Sequence, residues 1–544
     1  MVGVTPSASC SRLVRVLGTT GVNSLCASLS KISWQKGTSW RLLFSRVMLN
    51  LPKRYKTKVR LFQVCVCIFQ GVKANSLYPN LLSKPFCRLP IPTVTLNSRN
   101  NIKVGNPFMR HVALTSTILA TALLLAACSS KSDVPPLQGQ RIDVTLQPTL
   151  LQANPGAAKE PFEIPAPAAL ENWGQRGANS AHVPGHAQLA QSVKRAWTYK
   201  LGGKYGRDTA LLNPPVVHSG RLFAINTEGE VTALDAKTGK KLWEVELPFA
   251  KKSEALVTGG LAVLGNLLFV TTGDGQVFAL TASNGKQAWK TDLAVPLRAA
   301  PTVEGERVFI TSHDNRMFAL NALDGALLWT HSGMDGTLGY LASPAPAAEG
   351  GVVAVPYSSG EIYILRASDG RYIWHDSLTS SFSGQDPEST VTAIAAPPVI
   401  ADGLLYVVGL NGGLSAYGVA NGQRFWRVDV LTSQMPIVAG MQMFALTEKG
   451  EMVAINRRDG SIRWVADLAK GLKDSEGPRY WSGPMLAGGR LITVSSDGFA
   501  VSVNPETGEK ITTTELDEPT TLPPIVADGG LFFLTDSGHI ISFR

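Results

Sequence analysis

The chain has 544 residues and a formal net charge of +10, with 51 Lys and Arg against 41 Asp and Glu. The positive excess lies at the start of the chain, because residues 1–108 contain sixteen Lys and Arg and neither Asp nor Glu. From Cys128 onwards, 34 basic residues face 41 acidic ones, which gives a net charge of about −7. This charge excludes binding to nucleic acid through a basic surface.

Residues 1–108 show no internal repeat and hold five of the six cysteines. Cys65 and Cys67 are spaced like half of a metal site, but no second pair and no nearby His complete it. We predict that this segment is a disordered, non-native extension upstream of a true start at Met109. A transit peptide, which is also basic and poor in acidic residues, is the alternative.

Residues 109–127 have the pattern of a secretory signal peptide. A short basic start with Arg110 precedes an apolar core over 112–125, which is too short to span a membrane. The residues LAAC that end at Cys128 resemble the bacterial lipobox, which implies cleavage before Cys128 and acylation of its thiol. Ser129 follows, where Asp would mark retention at the inner membrane. We therefore expect a lipid-anchored protein of the Gram-negative outer membrane, facing the periplasm.

The remainder divides into a tether and one large domain. Residues 128–170 are rich in Pro, Ala, Gln and Ser and have little pattern, which predicts a disordered tether. Residues 171–544 are predicted to form a β-propeller, in which an ordered cap over 172–177 leads into the ring.

The domain is built from a repeat that places a Gly, three residues and then a Trp, as in ALDAKTGKKLW over 233–243. Its period of roughly 40–50 residues is typical of a solenoid or propeller. Short apolar runs bounded by Gly-containing turns predict strands, and four strands per period describe a propeller blade. Thr512 replaces the Trp in the seventh copy. The Trp residues of the first six copies are Trp243, Trp289, Trp329, Trp374, Trp426 and Trp464.

An eighth copy begins at Pro523 and ends at Arg544, after its third strand. Its fourth strand is predicted at residues 194–201, where Trp197 and Leu201 repeat the spacing of the other copies. The sequence therefore predicts an all-β fold, an eight-bladed β-propeller of four-stranded antiparallel blades whose last blade is completed by an N-terminal strand.

The repeated Trp side chains are predicted to dock one blade against the next. A Trp ring buries a large flat surface between packed sheets, and its indole N–H can donate to a backbone carbonyl. The Gly before it is expected to adopt a positive φ in the turn between the third and fourth strands. An aromatic ligand platform is the alternative role for these rings.

No group of residues in the sequence indicates catalysis. The Gly-x-x-x-Trp repeat resembles that of the pyrroloquinoline-quinone dehydrogenases, and this resemblance implies a vicinal Cys pair and a Ca²⁺ site. No Cys follows Cys128, and the acidic residues lie singly in separate turns. We therefore predict no enzyme, no cofactor and no metal. A quinoprotein-like oxidoreductase and a carbohydrate-binding propeller are the alternatives.

The lipobox at Cys128, the Pro-rich tether and the Trp-docked blades together resemble the BamB family of lipoproteins. The resemblance covers residues 109–544. It implies a non-catalytic scaffold of the outer-membrane β-barrel assembly (BAM) complex. The implied partners are the POTRA domains of a BamA-like subunit and unfolded outer-membrane proteins.

Three loops that lead from one blade into the next are the candidate contact sites. The loops over 333–343 and 380–396 lead into successive blades, and the loop over 470–484 is rich in residue types favoured at binding hot spots. In the family, the BamA contact is on the first two loops. Of that pattern only Leu338 matches, because Gly339, Ala393 and Ala395 stand at the other positions. The candidate residues are Leu338, Gly339, Tyr340, Asp386, Glu388, Arg479, Tyr480 and Trp481.

Overall fold

The computed structural model describes residues 151–206, 213–248, 259–334, 344–378, 393–410, 412–475 and 477–544. Within these ranges the backbone forms 32 β-strands and a single short 3-10 turn, Ala157–Lys159. The same ranges contain no helix with the length and apolarity needed to cross a membrane. The predicted extension, signal peptide and Cys128 lie outside the described residues.

The described strands associate into eight antiparallel sheets of four, one for each blade. Strand β1 (Arg195–Lys200) comes first in the chain and belongs to blade 8. Blades 1 to 4 consist of β2 (Val216–His218), β3 (Arg221–Ile225), β4 (Glu230–Asp235) and β5 (Lys241–Glu246); β6 (Leu261–Leu264), β7 (Leu267–Thr271), β8 (Gln276–Thr281) and β9 (Gln287–Asp292); β10 (Thr302–Glu304), β11 (Arg307–Thr311), β12 (Arg316–Asn321) and β13 (Leu327–Ser332); and β14 (Ala347–Glu349), β15 (Val352–Pro356), β16 (Glu361–Arg366) and β17 (Tyr372–Ser377).

Blades 5 to 7 continue the same order of four consecutive strands. They consist of β18 (Val399–Ala401), β19 (Leu404–Gly409), β20 (Gly413–Gly418) and β21 (Arg424–Val428); β22 (Ile437–Ala439), β23 (Gln442–Leu446), β24 (Glu451–Asn456) and β25 (Ile462–Asp467); and β26 (Trp481–Ala487), β27 (Arg490–Ser495), β28 (Phe499–Val503) and β29 (Lys510–Glu515). Blade 8 consists of β30 (Ile525–Ala527), β31 (Gly530–Leu534), β32 (His539–Phe543) and β1.

Burial follows the position of a strand within its blade. In blade 1 the middle strands β3 and β4 are buried along nearly their whole length, which explains their continuous apolar runs. The fourth strand β5 instead alternates between exposed and half-buried residues, as expected for a sheet edge with one face against the next blade. This architecture confirms the predicted fold class.

Blade 8 is closed by both ends of the domain, as predicted. Strand β1 pairs antiparallel with β32 and places Trp197 opposite Ser542. Lys194 and Arg544 exchange backbone hydrogen bonds of 2.8 and 2.9 Å, and the Leu201 N–H donates to the Gly538 carbonyl at 2.9 Å. These bonds join the first and last strands of the ring without a covalent link.

The Trp side chains of the repeat lie between adjacent blades. Each of the seven indole Nε1–H groups donates to a backbone carbonyl in the following blade. The Nε1-to-O distances are 3.3 Å for Trp197 to Ala236, 3.0 Å for Trp243 to Ala282, 2.9 Å for Trp289 to Ala322, 3.1 Å for Trp329 to Ala367, 2.7 Å for Trp374 to Val419, 2.8 Å for Trp426 to Arg457 and 3.1 Å for Trp464 to Pro505.

The repeat Gly of one blade lies directly on the Trp ring of the blade before it. All seven repeat glycines have φ between 68° and 75°, as predicted for the turn between the third and fourth strands. At Gly325 a Cβ would lie 2.5 Å from Cε3 of Trp289, so the turn fits closely only without a side chain. Gly and Trp of the repeat therefore act on two different interfaces, one on each side of a blade.

The missing eighth Trp has a structural explanation. Thr512 lies in β29 of blade 7, where a Trp would face the turn between the third and fourth strands of blade 8. Blade 8 has no such turn, because β32 leads to the C-terminus and β1 arrives from the N-terminal side. Thr512 Oγ1 instead lies 2.6 Å from Ser502 Oγ within its own blade.

Residues 151–170, which the sequence analysis assigned to a disordered tether, have defined contacts with blade 6. The Asn154 N–H donates to the Ile462 carbonyl at 2.7 Å, and Arg463 Nη1 donates to the Glu160 carbonyl at 2.8 Å. The Arg463 guanidinium also lies 5.3 Å from the ring centre of Phe162. This part of the tether assignment is corrected, because its few apolar and polar side chains have partners on the propeller.

The next segment, residues 168–189, hydrogen-bonds to the inner edges of seven blades, and we name it the plug. Its backbone and side chains supply partners for the inner edges of the first strands, which no neighbouring strand covers. The Val217 N–H donates to the Trp173 carbonyl at 2.8 Å and the Val263 N–H to the Gly174 carbonyl at 2.6 Å. Further N–H donors to the plug are Val303, Ala348, Ile400, Gly488 and Asp528. The plug thus bonds to blades 1 to 5, 7 and 8.

His182 makes the plug sensitive to acid. Its ring is fully buried and Nδ1 lies 2.7 Å from the Pro398 carbonyl. The His182 pKa is lowered from 6.5 to about 4, chiefly by burial and to a smaller extent by the nearby charge of Arg176, against the opposing effect of the Pro398 bond. The unfolded chain therefore binds this proton more readily, and the stability contributed by neutral His182 is lost as pH falls from about 6.5 towards 4.

We expect the free energy of unfolding to fall between pH 7 and pH 4 by up to roughly 3 kcal/mol through His182 alone. A His182→Gln variant should lack this part of the pH dependence, since Gln does not titrate. Urea unfolding at several pH values gives the slope of the unfolding free energy against pH for each protein. The difference between the two slopes removes the effect of the other His residues. Equal slopes would contradict the assignment.

Candidate functional site

The two faces of the propeller carry different turns. One carries the turns between first and second strands, and there the Ser219 N–H donates to Asn172 Oδ1 of the segment that begins the plug. The other carries the loops that lead from one blade into the next, together with the turns between second and third strands. We name the latter the loop face. Among the described residues, the backbone bonds of the plug to the blades go to the first strands and the turns that follow them, and not to this face.

Several predicted site residues lie outside the described ranges. Those on the first two inter-blade loops are Leu338, Gly339, Tyr340, Asp386 and Glu388. The described residues next to these loops are Met334, Leu378 and Ala393. Cys128, the predicted lipidation site, is likewise outside the description.

The base of the first loop is held by two polar side chains. The Met334 N–H donates to Glu361 Oε2 at 2.8 Å, and Asn315 Nδ2 donates to the Met334 carbonyl at 2.9 Å. The Met334 side chain is nevertheless 60% exposed. A fixed backbone with an apolar side chain in solvent is a favourable start for a contact loop, because little entropy is lost when it binds.

Beside this base lies a cluster of aromatic and His side chains that the sequence analysis missed. The His375 ring stacks on Tyr363 with centroids 4.9 Å apart, and the His331 ring centre lies 4.6 Å from that of Tyr363. His331 Nδ1 is 2.8 Å from the hydroxyl of Tyr357, and Tyr372 packs against the exposed side of the cluster. The register of adjacent strands could have revealed this cluster from the sequence, because Tyr363 and His375 are direct partners in β16 and β17.

Burial favours the neutral forms of two rings in this cluster. It lowers the pKa of His331, and the neighbouring His375 also lowers it, against the attraction of Glu361. Burial raises the pKa of Tyr363, whose hydroxyl donates to Glu361 Oε1 at 3.1 Å. The stacked rings and hydrogen-bonded hydroxyls suit contact with another protein surface.

Of the three candidate residues in the third loop, only Tyr480 is exposed. Trp481 is 7% exposed, begins strand β26 and packs in the core beside Phe444 and Leu486, so its assignment to the surface is corrected. The Arg479 side chain is 9% exposed. Its Nε donates to Asp497 Oδ2 at 2.8 Å, which fixes the loop to the turn beneath it. Tyr480 is 60% exposed, and its backbone is held by two bonds to Ser496.

The family resemblance implies acidic residues at two positions that are buried in this structure. Ala393 and Ala395 are both buried, and the Ala393 carbonyl accepts a hydrogen bond from the Leu410 N–H at 2.9 Å. A carboxylate at either position would be taken out of water without a partner in view. These two buried positions therefore do not present side chains for a surface contact.

Acidic side chains in the turns accept hydrogen bonds from nearby residues of the same turn. Ser312 Oγ donates to Asp314 Oδ1 at 2.5 Å, and Ser495 Oγ donates to Asp497 Oδ1 at 2.6 Å. Throughout the described ranges, no three His, Cys, Asp or Glu side chains come together in a way that would hold a metal ion. These residues therefore do not fit the Ca²⁺ site that a quinoprotein dehydrogenase requires.

The described residues define a class: an eight-bladed β-propeller with a plug along the first strands of its blades. Comparison with known proteins refines this class. A family model described as "Outer membrane protein assembly factor BamB" matches residues 227–466. Over this range the chain is similar to BamB.

Individual relatives agree with this result. Outer membrane protein assembly factor BamB of Yersinia pestis is 26% identical over 359 residues, which covers 65% of this chain and 89% of that protein. The protein of the same name from Escherichia coli K12 is 26% identical over 353 residues, covering 64% and 88%.

Two solved structures share the fold. The crystal structure of BamB from Moraxella catarrhalis aligns with a TM-score of 0.55 at 17% identity and covers 65% of this chain and all of that one. Quinohemoprotein alcohol dehydrogenase from Comamonas testosteroni aligns with a TM-score of 0.54 at 14% identity, covering 69% and 81%. Because a BamB and a dehydrogenase align equally well, function has to be argued from the site.

Proposed function

We propose that this protein is a non-catalytic lipoprotein scaffold of the outer-membrane β-barrel assembly machinery. The observation that carries the proposal is the similarity to proteins named outer membrane protein assembly factor BamB, which extends over 89% of the Yersinia pestis protein. The partners would be the POTRA domains of a BamA-like subunit and unfolded outer-membrane proteins.

The proposed mechanism is presentation of a contact surface by a rigid ring. The Trp-docked blades fix the positions of the inter-blade loops, and the bonds at Met334 and Tyr480 hold two loop bases in place. A preorganised surface binds with less loss of conformational entropy than a mobile one. The neutral cluster around Tyr363 lies beside the first of these loops and would add aromatic contact area.

Lipid at Cys128 would keep the protein at the membrane that holds its partner. A single acyl chain gives only marginal binding, so stable anchoring requires more than one chain. Confinement to the membrane raises the effective concentration of the loop face for a membrane-bound partner. Mass spectrometry of the native N-terminus tests both the start at Met109 and the lipid at Cys128.

Quinone-dependent oxidation is not proposed. The described residues do not supply grouped acids for Ca²⁺, and the sequence has no Cys after Cys128 to form a vicinal pair. Similarity to the dehydrogenase structures concerns the fold, at 14% identity. No observation on the described surface favours a carbohydrate ligand.

Capture of membrane proteins tests the partner directly. We expect the tagged full-length lipoprotein to retain a BamA-like subunit from detergent-solubilised outer membranes. A Met334→Glu, Leu338→Glu double variant should retain at least tenfold less, because two charges would enter an apolar contact. The matched control is Leu323→Glu, since Leu323 is 66% exposed in the turn before β13, at the opposite end of that strand from Met334.

The control should retain as much partner as the unsubstituted protein. If no barrel-assembly subunit is captured at all, the proposed function is wrong. If the double variant and the Leu323→Glu control lose the partner equally, the loop face is not the contact surface.

A further inference from the structure

A cavity lies between the plug and the starts of the first strands of four blades. The plug contributes Trp173, Arg176 and Gly177. The empty space is about 360 Å³ including the solvent at its mouth, and its enclosed part has room for about one or two water-sized groups. The other lining residues are Pro214 of blade 1, Gln434, Met435 and Ile437 of blade 6, Gly483 and Pro484 of blade 7, and Pro523, Pro524 and Ile525 of blade 8.

Two donors in the wall of this cavity lack partners. Nη1 of Arg176 and Nε1 of Trp173 are both buried and have no hydrogen-bond partner among the described residues. Burial lowers the pKa of Arg176 to about 10, so the side chain remains charged at neutral pH. Buried donors are almost always paired, and a buried charge without a partner is costly.

The rest of the cavity wall offers a ligand few other hydrogen-bond donors. Pro214, Pro484, Pro523 and Pro524 have no N–H groups, and the Gly483 N–H already donates to Gln434 Oε1 at 3.4 Å. A ligand with acceptor atoms would therefore depend mainly on Arg176 and Trp173. A planar carboxylate offers two acceptor oxygens and a negative charge, which matches a guanidinium and an indole N–H.

We propose that this cavity is a binding site for a carboxylate, held by Arg176 and Trp173. The negative charge compensates the guanidinium of the half-buried Arg176, whose Nη1 is buried and unpaired, and the second oxygen accepts from the indole. The ligand is either a small free carboxylate or the terminal carboxylate of a polypeptide that reaches the channel from the loop face. The two residues that would hold the ligand, Arg176 and Trp173, lie in the plug, whereas Gly483 and Pro484 of the cavity wall belong to the third inter-blade loop. Acetate binding is measured without any assembly partner, so its failure and the failure of the proposed role in barrel assembly are distinguishable.

Equilibrium dialysis of the full-length protein in detergent with radiolabelled acetate tests the proposal. Ionic strength is kept constant with a bulky sulfonate that the cavity does not admit. We expect saturable binding of one acetate per chain. Arg176→Met should weaken it at least tenfold and Trp173→Phe about tenfold, since each removes a hydrogen bond to a charged group. Arg366→Met, which removes an exposed Arg paired with Asp369, should bind as tightly as the unsubstituted protein.

A short peptide with a free C-terminus, compared with its C-terminal amide, distinguishes the two sources. Competition by the free acid alone supports a polypeptide carboxylate, and failure of both peptides to compete supports a small free carboxylate. Absence of saturable acetate binding, as for a cavity that holds only water, would overturn the proposal. Unchanged affinity in both Trp173→Phe and Arg176→Met would overturn it as well.

Discussion

A Tyr199→Pro substitution in the closing strand is expected to open the ring. The Leu201 N–H donates to the Gly538 carbonyl, and hydrogen-bonded pairs alternate along an antiparallel ladder, so Tyr199 and Ile540 form the next such pair. Proline removes that donor and destabilises the pairing by about 3 kcal/mol or more. Strand β1 has no chain connection to β32, and its loss would also withdraw the Trp197 ring from blade 1.

The matched control is Val245→Pro in β5, where the Leu247 N–H donates to the Gly229 carbonyl and Val245 pairs with Val231. It removes the equivalent bond from a strand that remains connected to its own blade through a turn. Hydrogen exchange measured by mass spectrometry should rise in blades 7, 8 and 1 of the Tyr199→Pro variant and only locally in the control. Equally local increases in both proteins would show that β1 does not hold the ring closed.

Most of the fold could be predicted because one repeat contains both the turn and the docking residue. Gly and Trp at fixed spacing gave the number of blades, and Trp197 near the N-terminal end of the domain gave the closure. The Thr at position 512 was also informative, because it marks the blade that faces the missing turn. In the sequence alone, Thr512 is only a departure from the repeat.

The plug and the contacts of residues 151–170 were not predictable from local pattern. Their partners are the inner edges of strands far away in sequence, as in the Val263 to Gly174 bond, and such bonds need no periodic side chains. Composition rich in Pro and Ala indicated disorder. The ring nevertheless implied that another segment must bond to the first strands, because their inner N–H groups have no neighbouring strand to accept their hydrogen bonds.

The candidate site was predicted less well, since residue type does not reveal burial. Arg479 and Trp481 were selected as hot-spot residues, but one is paired with Asp497 and the other lies in the core. The cluster around Tyr363 was missed because its members are separated in sequence and meet only through the strand register. Loop length indicated the candidate contact face, and the structure was needed to separate exposed from structural side chains.

Gly325→Ala is expected to be among the most destabilising single methyl additions in the propeller. A Cβ at Gly325 would lie 2.5 Å from Cε3 of Trp289 and 2.7 Å from Oγ1 of Thr291, at a φ of 75°. The left-handed backbone costs about 1–2 kcal/mol for a non-Gly residue, and overpacking adds roughly 1–3 kcal/mol. The total of about 3 kcal/mol would be visible as a lower midpoint in urea unfolding.

Gly305→Ala provides the matched comparison within the same blade. Gly305 also has a positive φ, 57°, but no atom lies within 4 Å of its added Cβ, so only the backbone cost of about 1–2 kcal/mol should appear. In a Trp289→Ala background, Gly325→Ala should become milder and approach the effect of Gly305→Ala, because the ring that the methyl group strikes is gone and only the contact with Thr291 Oγ1 remains. A Gly325→Ala effect that stays unchanged in this background would mean that the docking of Trp on Gly does not set the close approach of the blades.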